Sequence, residues 1–301
     1  MKQIKPFFLI TALSLVFFYF CGRDSLREEQ LKNGFEKWRV NRLERLKDST
    51  GWLTLAGLFW LGQDETNTIG SDTSNSVVFP GNAPGNIGKI VIKGDTISFT
   101  PHPGVNVFVN ENKTLKTTPL LTDADGSPDK VRTGNLEWYV IKRGKRYGLR
   151  LRDYNSSRPE RLDTLPLYNF SMHFVVEATF LPHDTPGKYN VPTVIGIDET
   201  YSSPGILKFN LQGKDLELIP FESGDKLFIL FADETSAETT HGAGRFLYTD
   251  LPGREGKVLL DFNLAYNPPC AFTPYATCPL PPRENILPVA IEAGEKDPGW
   301  H

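Results

Sequence analysis

The stretch that decides the fold class is Lys89–Thr100, which reads KIVIKGDTISFT. β-Branched and aromatic residues, which favour strands, fill its two halves. The tetrapeptide Lys93-Gly94-Asp95-Thr96 between them is typical of a tight turn, because Gly adopts the backbone angles that such turns need. The stretch therefore predicts an antiparallel β-hairpin.

Short strands of the same kind recur on both sides of this hairpin, separated by clusters of Gly, Asn, Asp and Pro. The 301-residue chain contains 26 Gly and 23 Pro, which favours many strands and turns over a helical bundle. The further predicted strands are residues 76–79, 105–109, 138–142, 147–151, 172–180, 191–197, 205–211, 214–219, 226–232, 244–248 and 257–262. Their spacing predicts a mainly β protein with two antiparallel units, each resembling a sandwich or a barrel.

A polar stretch at Arg152–Arg161 predicts a loop between the two β units, because it contains Asn155-Ser156-Ser157 and no apolar run. The predicted organisation is an export signal at residues 1–20, a tether and helix at residues 21–49, a first β unit at residues 50–152 and a second β unit at residues 153–301.

The segment Ser25–Asp48 predicts the one convincing helix. Ser25 and Glu28 fit a capping box, in which each side chain bonds to a free backbone N–H of the other residue. Apolar residues recur near helical spacing at Leu31, Phe35, Trp38, Leu43 and Leu46. We expect this amphipathic helix to pack on its own protein. Binding to a membrane surface is the alternative, which the mixed charge of the polar face disfavours.

The N-terminal sequence predicts export and a lipid anchor. Lys2 and Lys5 precede the apolar run Phe7–Phe20, which is too short to cross a bilayer comfortably but suits an export signal. Cys21 follows and resembles the lipid-acceptor cysteine of a bacterial lipoprotein. The prediction is a protein of the bacterial cell envelope, exposed outside the cytoplasm and tethered to the membrane by an N-terminal lipid. An uncleaved anchor and an ordinary signal peptide are the alternatives.

A Pro-rich segment runs from Pro268 to Pro288 and contains seven prolines. Because proline cannot donate to a β ladder, we expect the segment to run extended over the second unit. Phe272 predicts that it is packed down. Outside the cytoplasm, Cys270 and Cys278 are expected to form a disulfide that closes a small loop. Two buried inert thiols and a reactive cysteine, for which no neighbouring base is evident, are the alternatives.

Polar residues around this segment form the candidate site. They are Arg245, Asp261, Asn263, Tyr266, Asn267 and Tyr275. A cation, a carboxylate, amides and phenols beside stiff backbone suit recognition of a small polar ligand or a partner at the rim of a β unit. Use of the same groups by an enzyme, such as a hydrolase, is the alternative. A purely structural reading has the amides satisfy irregular backbone and Arg245 pair with Asp261.

The sequence gives little support for a known catalytic motif, a metal site or nucleic-acid binding. The sequence lacks a nucleophile elbow, a zinc-protease motif, a P-loop and a dinucleotide-binding motif, so no cofactor is predicted. Asp123, Asp125 and Asp129 supply oxygen ligands and are a weak calcium candidate, but the glycine spacing differs from that of an EF-hand. The five histidines lack metal-ligand spacing. A net charge of −3 gives no reason to expect nucleic acid as a partner.

Several motifs around the site carry a family resemblance. They are Asp261-Phe262-Asn263, Ala265–Phe272, Tyr275–Pro282 and Ala293–Lys296, with Gly51-Trp52-Leu53, Gly57-Leu58, Arg150–Asp153 and Gly244–Tyr248 upstream. Together they resemble a bacterial family known as domain of unknown function 1684, over residues 35–296. The resemblance implies no activity, because the family has no assigned function. It therefore leaves ligand binding and catalysis both open.

Overall fold

The computed structural model describes the backbone of residues 9–300 and the side chains of residues 25–300. It contains two α-helices and eighteen strands, with short 3-10 turns between them. The elements are α1 (Leu9–Lys47), β1 (Leu55–Leu61), β2 (Thr66–Gly70), β3 (Val77–Val78), β4 (Gly88–Lys93), β5 (Thr96–Pro101), β6 (Val107–Val109), β7 (Asn112–Thr114), β8 (Thr118–Leu120), β9 (Val131–Thr133), β10 (Leu136–Arg143), β11 (Arg146–Asp153), α2 (Arg158–Arg161), β12 (Val175–Val191), β13 (Glu199–Leu211), β14 (Lys214–Leu218), β15 (Phe221–Ser223), β16 (Lys226–Phe231), β17 (Arg245–Asp250) and β18 (Lys257–Asp261).

The first eleven strands form two sheets over one core. A six-stranded sheet has the order β1-β11-β10-β9-β6-β7, and a five-stranded sheet has the order β3-β2-β4-β5-β8. The predicted hairpin is present as β4 and β5, which pair from Lys93↔Thr96 to Gly88↔Pro101. Trp138 is fully buried and meets the rings of Phe79 and Phe99 edge to face. Such aromatic contacts fix how the two sheets face each other.

The remaining strands form two further sheets. Their orders are β14-β13-β12-β18 and β15-β16-β17. Both contribute to a second core, in which Phe231 and Phe262 pack edge to face. The prediction of a mainly β protein with antiparallel units is confirmed; the parallel pair β2–β3 is an exception. The domain boundary between residues 152 and 153 stays a prediction.

Helix α1 begins at Leu9 rather than at Ser25, so the predicted capping box is wrong. The physical reason is that no proline interrupts the chain between Leu9 and Lys47. Within the described residues, neither helix combines the length and the apolar character that a membrane span requires. The predicted export signal at residues 1–20 and the side chain of Cys21 lie outside the residues whose side chains are described.

The predicted apolar stripe of α1 faces the protein. Phe35 and Leu46 are buried, while Trp38 and Leu43 are half-buried. Leu46 packs in a small core that contains Phe272 of the Pro-rich segment. The expectation that the helix packs on its own β-rich protein is therefore confirmed.

The Pro-rich segment is packed down, as predicted. Phe272 is fully buried, and Asn285 holds the end of the segment through bonds to the backbone of Ile219 and Leu230. The segment also contacts the first pair of sheets, because Arg143 of β10 donates from Nε to the Thr277 hydroxyl at 3.1 Å. It therefore lies between the two pairs of sheets and positions the candidate site.

One predicted strand, at residues 191–197, is absent. Strand β12 ends at Val191, and the chain then turns. The Thr193 hydroxyl donates to the carbonyl of Ile197 at 2.6 Å, and Gly196 has a positive φ of 71°. A side chain that closes a turn in this way competes with a β ladder, which explains why the apolar pattern misled the prediction.

Candidate functional site

An open groove of about 1090 Å³ lies between the C-terminal half of α1 and the sheet β15-β16-β17. Tyr266 and Pro269 also line the groove, and Pro269 belongs to the Pro-rich segment. Six aromatic side chains line it: Trp38, Trp52, Phe228, Phe246, Tyr248 and Tyr266. Ligand sites are concave and largely apolar with a few placed polar groups, and this groove has that character.

Alternation along β16 and β17 builds the aromatic wall. Phe228 of β16 is the cross-strand partner of Tyr248 of β17, and their rings stack at 4.9 Å. Phe246 lies two residues before Tyr248, so both side chains share one face of the strand. Tyr266 pairs with Phe246 through two backbone hydrogen bonds of 2.8 and 2.9 Å. The wall is therefore fixed by backbone pairing.

Tyr248 and Tyr266 extend the row of aromatic rings along the wall. Their rings are nearly parallel, at an interplanar angle of 14° and a centroid distance of 6.3 Å. Tyr248 is 42% exposed, so its ring is available to a ligand. Burial raises the pKa of the Tyr266 hydroxyl, which therefore stays protonated and keeps its hydrogen-bond donor.

Charged groups of both signs line the groove. Three cations, Arg42, Arg45 and Lys226, and three carboxylates, Glu44, Asp48 and Asp225, contribute to its lining. Two of the cations already have partners in the protein. Lys226 pairs with Asp250 at 2.7 Å, and Arg42 pairs with Glu295 at 2.8 Å. Since Asp250 and Glu295 neutralise these two cations, the groove does not favour an anionic ligand, and its lining offers hydrogen bonds of both kinds.

Arg42 joins the helix to the site. Its guanidinium donates to Glu295, whose side chain is fully buried, and to the carbonyl of Asn267 at 2.9 Å. The same group lies 4.7 Å from the centre of the Tyr266 ring, in the geometry of a cation–π contact. Arg42 thus fixes one end of the aromatic wall.

Of the six residues predicted to form the site, Arg245 is structural. It is fully buried and pairs with Asp233 at 2.7 Å, so the predicted ion pair with Asp261 is wrong. It also donates to the carbonyls of Ile291 and Ala293. Phe246, the next residue on β17, faces the groove. Because side chains alternate along a strand, Arg245 points to the opposite face, into the core.

Asp261 and Asn263 also hold backbone rather than a ligand. Asp261 caps the short turn after β18 by accepting from the Asn263 N–H at 3.0 Å. Burial raises the pKa of the Asp261 carboxyl, and its bonds to Asn263 oppose that rise. The Asn263 side chain bonds to both the N–H and the carbonyl of Ser171. The structural reading holds for this pair.

Asn267 and Tyr275 lie near the groove but do not line it. The Asn267 N–H donates to Glu295 at 2.7 Å, and its side-chain amide donates to the carbonyl of Lys296 at 2.7 Å. The buried Oδ1 of Asn267 accepts no hydrogen bond from the described residues. Tyr275 is half-buried. Tyr266 alone of the six predicted residues therefore lines the groove.

The three aspartates of the weak calcium candidate accept hydrogen bonds from the protein itself. Asp123 accepts from Arg143 at 2.8 Å, Asp125 accepts from the N–H of Thr122 at 2.9 Å, and Asp129 accepts from the N–H of Leu121 at 2.7 Å. The carboxylates therefore fix turns. No group of three or more metal-ligating side chains comes together within the described part of the chain.

Cys270 and Cys278 are free thiols, so the predicted disulfide is not formed. The Cys270 N–H donates to the Cys278 sulfur at 3.2 Å. The Cys270 sulfur lies 3.5 Å from Nε2 of His241, which is buried. Each thiol instead takes part in hydrogen bonds within the protein. His241 is therefore a base beside Cys270, which the sequence alone does not reveal.

Sequence reasoning missed the residues that complete the site. His241 is 29 positions from Cys270, and Arg42 is 253 positions from Glu295. Spacing carries no signal over such distances. Glu295 could have been found, because it lies in the Ala293–Lys296 motif, and Tyr248 closes the Gly244–Tyr248 motif.

Comparison with known proteins identifies a family and a solved relative. A family model described as "Protein of unknown function (DUF1684)" matches residues 160–296. The chain is similar to the uncharacterized protein from gene locus rrnAC0354 of Haloarcula marismortui, whose structure was determined by solution NMR. The two are 32% identical over 48% of this chain and 82% of that chain, with a TM-score of 0.40. No curated protein matches the sequence.

Proposed function

The chain belongs to the DUF1684 family of proteins of unknown function, and from that premise we propose that it is a lipid-anchored cell-envelope protein that binds a small neutral polar ligand in the aromatic groove. The single observation that carries the binding proposal is the row of stacked rings formed by Phe228, Tyr248 and Tyr266. The anchor rests on the sequence around Cys21 and is argued separately.

The ligand class follows from the surface that the groove presents. Stacked aromatic rings favour a ligand with a flat apolar face. The lining does not favour an anionic ligand, because Asp250 and Glu295 neutralise two of its cations, and the polar groups around the rings favour a ligand rich in hydroxyls. A saccharide combines these properties, because its ring carries C–H groups on its faces and hydroxyl groups around its edge. We therefore propose a neutral saccharide as the ligand.

The proposal does not extend to catalysis by the predicted polar cluster. Arg245, Asp261, Asn263 and Asn267 are buried and hydrogen-bonded to the protein itself. Groups that hold backbone in this way are not available to orient a substrate. The hydrolase alternative for this cluster therefore lacks support.

Substitution of Tyr248 tests the proposal. We expect the detergent-solubilised full-length protein to bind a member of a panel of soluble glucose, galactose and N-acetylglucosamine oligosaccharides, measured by isothermal titration calorimetry. Tyr248→Ala should weaken that binding roughly tenfold or more, because a stacked ring contributes about 1 kcal/mol beyond its buried area. Since Tyr248 is 42% exposed, the variant should keep its fold.

Phe108→Ala is the matched control, because Phe108 is an aromatic residue of β6 that is 36% exposed and lies outside the groove. It should leave the affinity unchanged. Raising the salt concentration should also have little effect, because a neutral ligand is not bound through screened charges. Failure of every panel member to bind, or equal affinity in Tyr248→Ala, would overturn the saccharide proposal.

A further inference from the structure

Two thiols and an imidazole meet behind the aromatic wall. Cys270 is half-buried, and its sulfur lies 3.5 Å from Nε2 of His241. Cys278 is 4% exposed, and its sulfur accepts the Cys270 N–H at 3.2 Å. Both cysteines pack in the same apolar cluster as Tyr266 of the groove. The groove's proposed ligand does not involve these groups, so they need a separate explanation.

Backbone bonds hold the three groups in place. Cys270 lies in a 3-10 turn in which the Ala271 N–H donates to the carbonyl of Pro268 at 3.0 Å. The carbonyl of Cys278 accepts from the N–H of Val194 at 2.9 Å. His241 starts a turn that closes through the Gly244 N–H at 3.0 Å. Their proximity is therefore built into the fold.

The two thiols have different chemical characters. The pKa of Cys270 is lowered, first by a hydrogen bond from Cys278 and then by His241, while burial opposes the change. The pKa of Cys278 is raised, first because it donates that bond to Cys270 and then because it is buried. The thiolate is the nucleophilic form of cysteine. This difference suits Cys270 for attack and Cys278 for a later step.

We propose that Cys270 and Cys278 form a thiol–disulfide exchange site, in which Cys270 is the nucleophile, His241 accepts its proton and Cys278 resolves the mixed disulfide. The substrate class is a disulfide, either of a small molecule or on the surface of a partner protein. The geometry of the three groups carries this inference, and it does not depend on the saccharide proposal.

The exchange balances in two steps. The Cys270 thiolate attacks one sulfur of the substrate R–S–S–R, a new S–S bond joins Cys270 to R, and the other half leaves as the thiolate RS⁻. The proton that His241 took from Cys270 passes to this first thiolate. The Cys278 sulfur then attacks the Cys270 sulfur, the S–S bond to the bound half breaks, and the second RS⁻ takes the proton of Cys278. The protein loses two electrons and two protons as it becomes a disulfide, and the substrate gains them as two thiols.

Oxidised glutathione is the probe, applied to the detergent-solubilised full-length protein and followed by intact mass and peptide mapping. We expect the wild-type protein to form the Cys270–Cys278 disulfide and to retain no glutathione. Cys278→Ser should accumulate a stable adduct of one glutathione on Cys270, because the resolving thiol is missing. Cys270→Ser should form no adduct at Cys278, which is buried.

Two outcomes would overturn the proposal. One is a wild-type protein that stays fully reduced in excess oxidised glutathione. The other is a glutathione adduct on Cys278 in folded Cys270→Ser at the rate seen for Cys270, since the two thiols would then have no distinct roles. Tryptophan fluorescence checks that each variant is folded. The saccharide titration with Cys270→Ser separates this proposal from the groove proposal, because that variant should bind as the wild type does.

The pH profile of alkylation tests the role of His241. His241 acts on Cys270, and Arg150 of β11 acts through its charge on Cys278. The phenols of Tyr189, Tyr201 and Tyr266 pack in the same cluster as the two thiols. Because the pKa of Cys270 is lowered, its reaction with iodoacetamide should persist below the range near pH 8.5 in which an ordinary thiol titrates. His241→Gln should move the profile to higher pH, and at pH values below the pKa of Cys270 alkylation should slow by roughly tenfold for each unit by which that pKa rises. An unchanged profile in folded His241→Gln would exclude His241 from the mechanism.

Discussion

Arg245 and Arg150 are both buried, yet their guanidinium groups have different surroundings. Arg245 pairs with the carboxylate of Asp233 at 2.7 Å. Arg150 has long bonds of 3.4 Å to the hydroxyls of Tyr139 and Thr277, and its guanidinium lies 5.6 Å from the centre of the Trp52 ring. The buried Nε of each arginine has no hydrogen-bond partner among the described residues. Arg150 is therefore held by aromatic and hydroxyl groups, whereas Arg245 is held by a carboxylate and backbone carbonyls.

Gly244 is a position at which even a small side chain should be costly. Its φ is +78°, and a Cβ atom added there would lie 2.5 Å from the carbonyl oxygen of Phe231 and 2.6 Å from Cγ of Pro281. Gly244→Ala should therefore lower the free energy of unfolding by about 3 kcal/mol or more, because backbone strain and overpacking add. Urea unfolding followed by tryptophan fluorescence measures the loss.

Gly94 provides the matched control for this substitution. It has a positive φ of 55° in the β4–β5 turn, but an added Cβ atom meets nothing within 4 Å. Gly94→Ala should cost only the backbone strain, about 1–2 kcal/mol. Equal losses for the two variants would show that the contact with Phe231 and Pro281 does not limit Gly244.

At the scale of elements, strand alternation explains how far the site could be predicted. The strand at residues 244–248 was predicted correctly, and so was the packing of the Pro-rich segment. The sequence did not reveal which face of β17 is buried, so Arg245 was assigned to the site and Phe246 was not. Arg245 faces the core, and Phe246 faces the groove. The alternating pattern of a strand predicts which side chains share a face, but it does not predict which part of the protein packs on each face.

A buried ion pair contributes to the docking of α1, beside the apolar contacts of Phe35 and Leu46. Arg42 bonds to Glu295, and the side chains are 11% and 0% exposed. Arg42→Ala should lower the free energy of unfolding by about 3–5 kcal/mol, because the buried carboxylate loses its cationic partner. The double variant Arg42→Met with Glu295→Gln should lose less than Arg42→Ala, since no uncompensated charge remains. Urea unfolding of the three proteins measures the coupling.

Arg39 serves as the control on the same helix. It pairs with Glu36 at 2.8 Å, but the two side chains are 52% and 48% exposed. Arg39→Ala should change the free energy of unfolding by less than about 0.5 kcal/mol, because solvent screens exposed pairs. A loss for Arg42→Ala as small as that for Arg39→Ala would contradict the assigned role of the buried pair.

At the scale of the whole molecule, the Pro-rich segment joins parts that are distant in sequence. Phe272 packs with Leu46 of α1, Thr277 meets Arg143 of β10, and Asn285 bonds to the backbone of β16. The packing of this segment can be predicted, because its prolines and Phe272 lie within the segment itself. The groove depends on α1 meeting a sheet nearly two hundred residues later. Hydrophobic periodicity has no means of reporting such long-range packing, which explains why the groove was not predicted.

The anchor proposed at Cys21 determines how the whole molecule would sit at the membrane. Residues 25–30 of α1 are exposed, and the first half-buried side chain is Leu31. The ten-residue helical step from Cys21 to Leu31 would place Leu31 about 15 Å along the helix axis from the anchor, at 1.5 Å per residue.

Cys21→Ser tests this arrangement in cells, where membrane and soluble fractions are compared and the mature N-terminus is analysed by mass spectrometry. The wild-type protein should be found in the membrane fraction with a lipid on Cys21. Cys21→Ser should lack that lipid, because serine has no thiol to accept it. Cys270→Ser is the control and should stay in the membrane fraction, since it leaves the signal intact. An unmodified Cys21 in the mature wild-type protein would contradict the anchor, while the groove and the thiol pair would still stand on their own contacts.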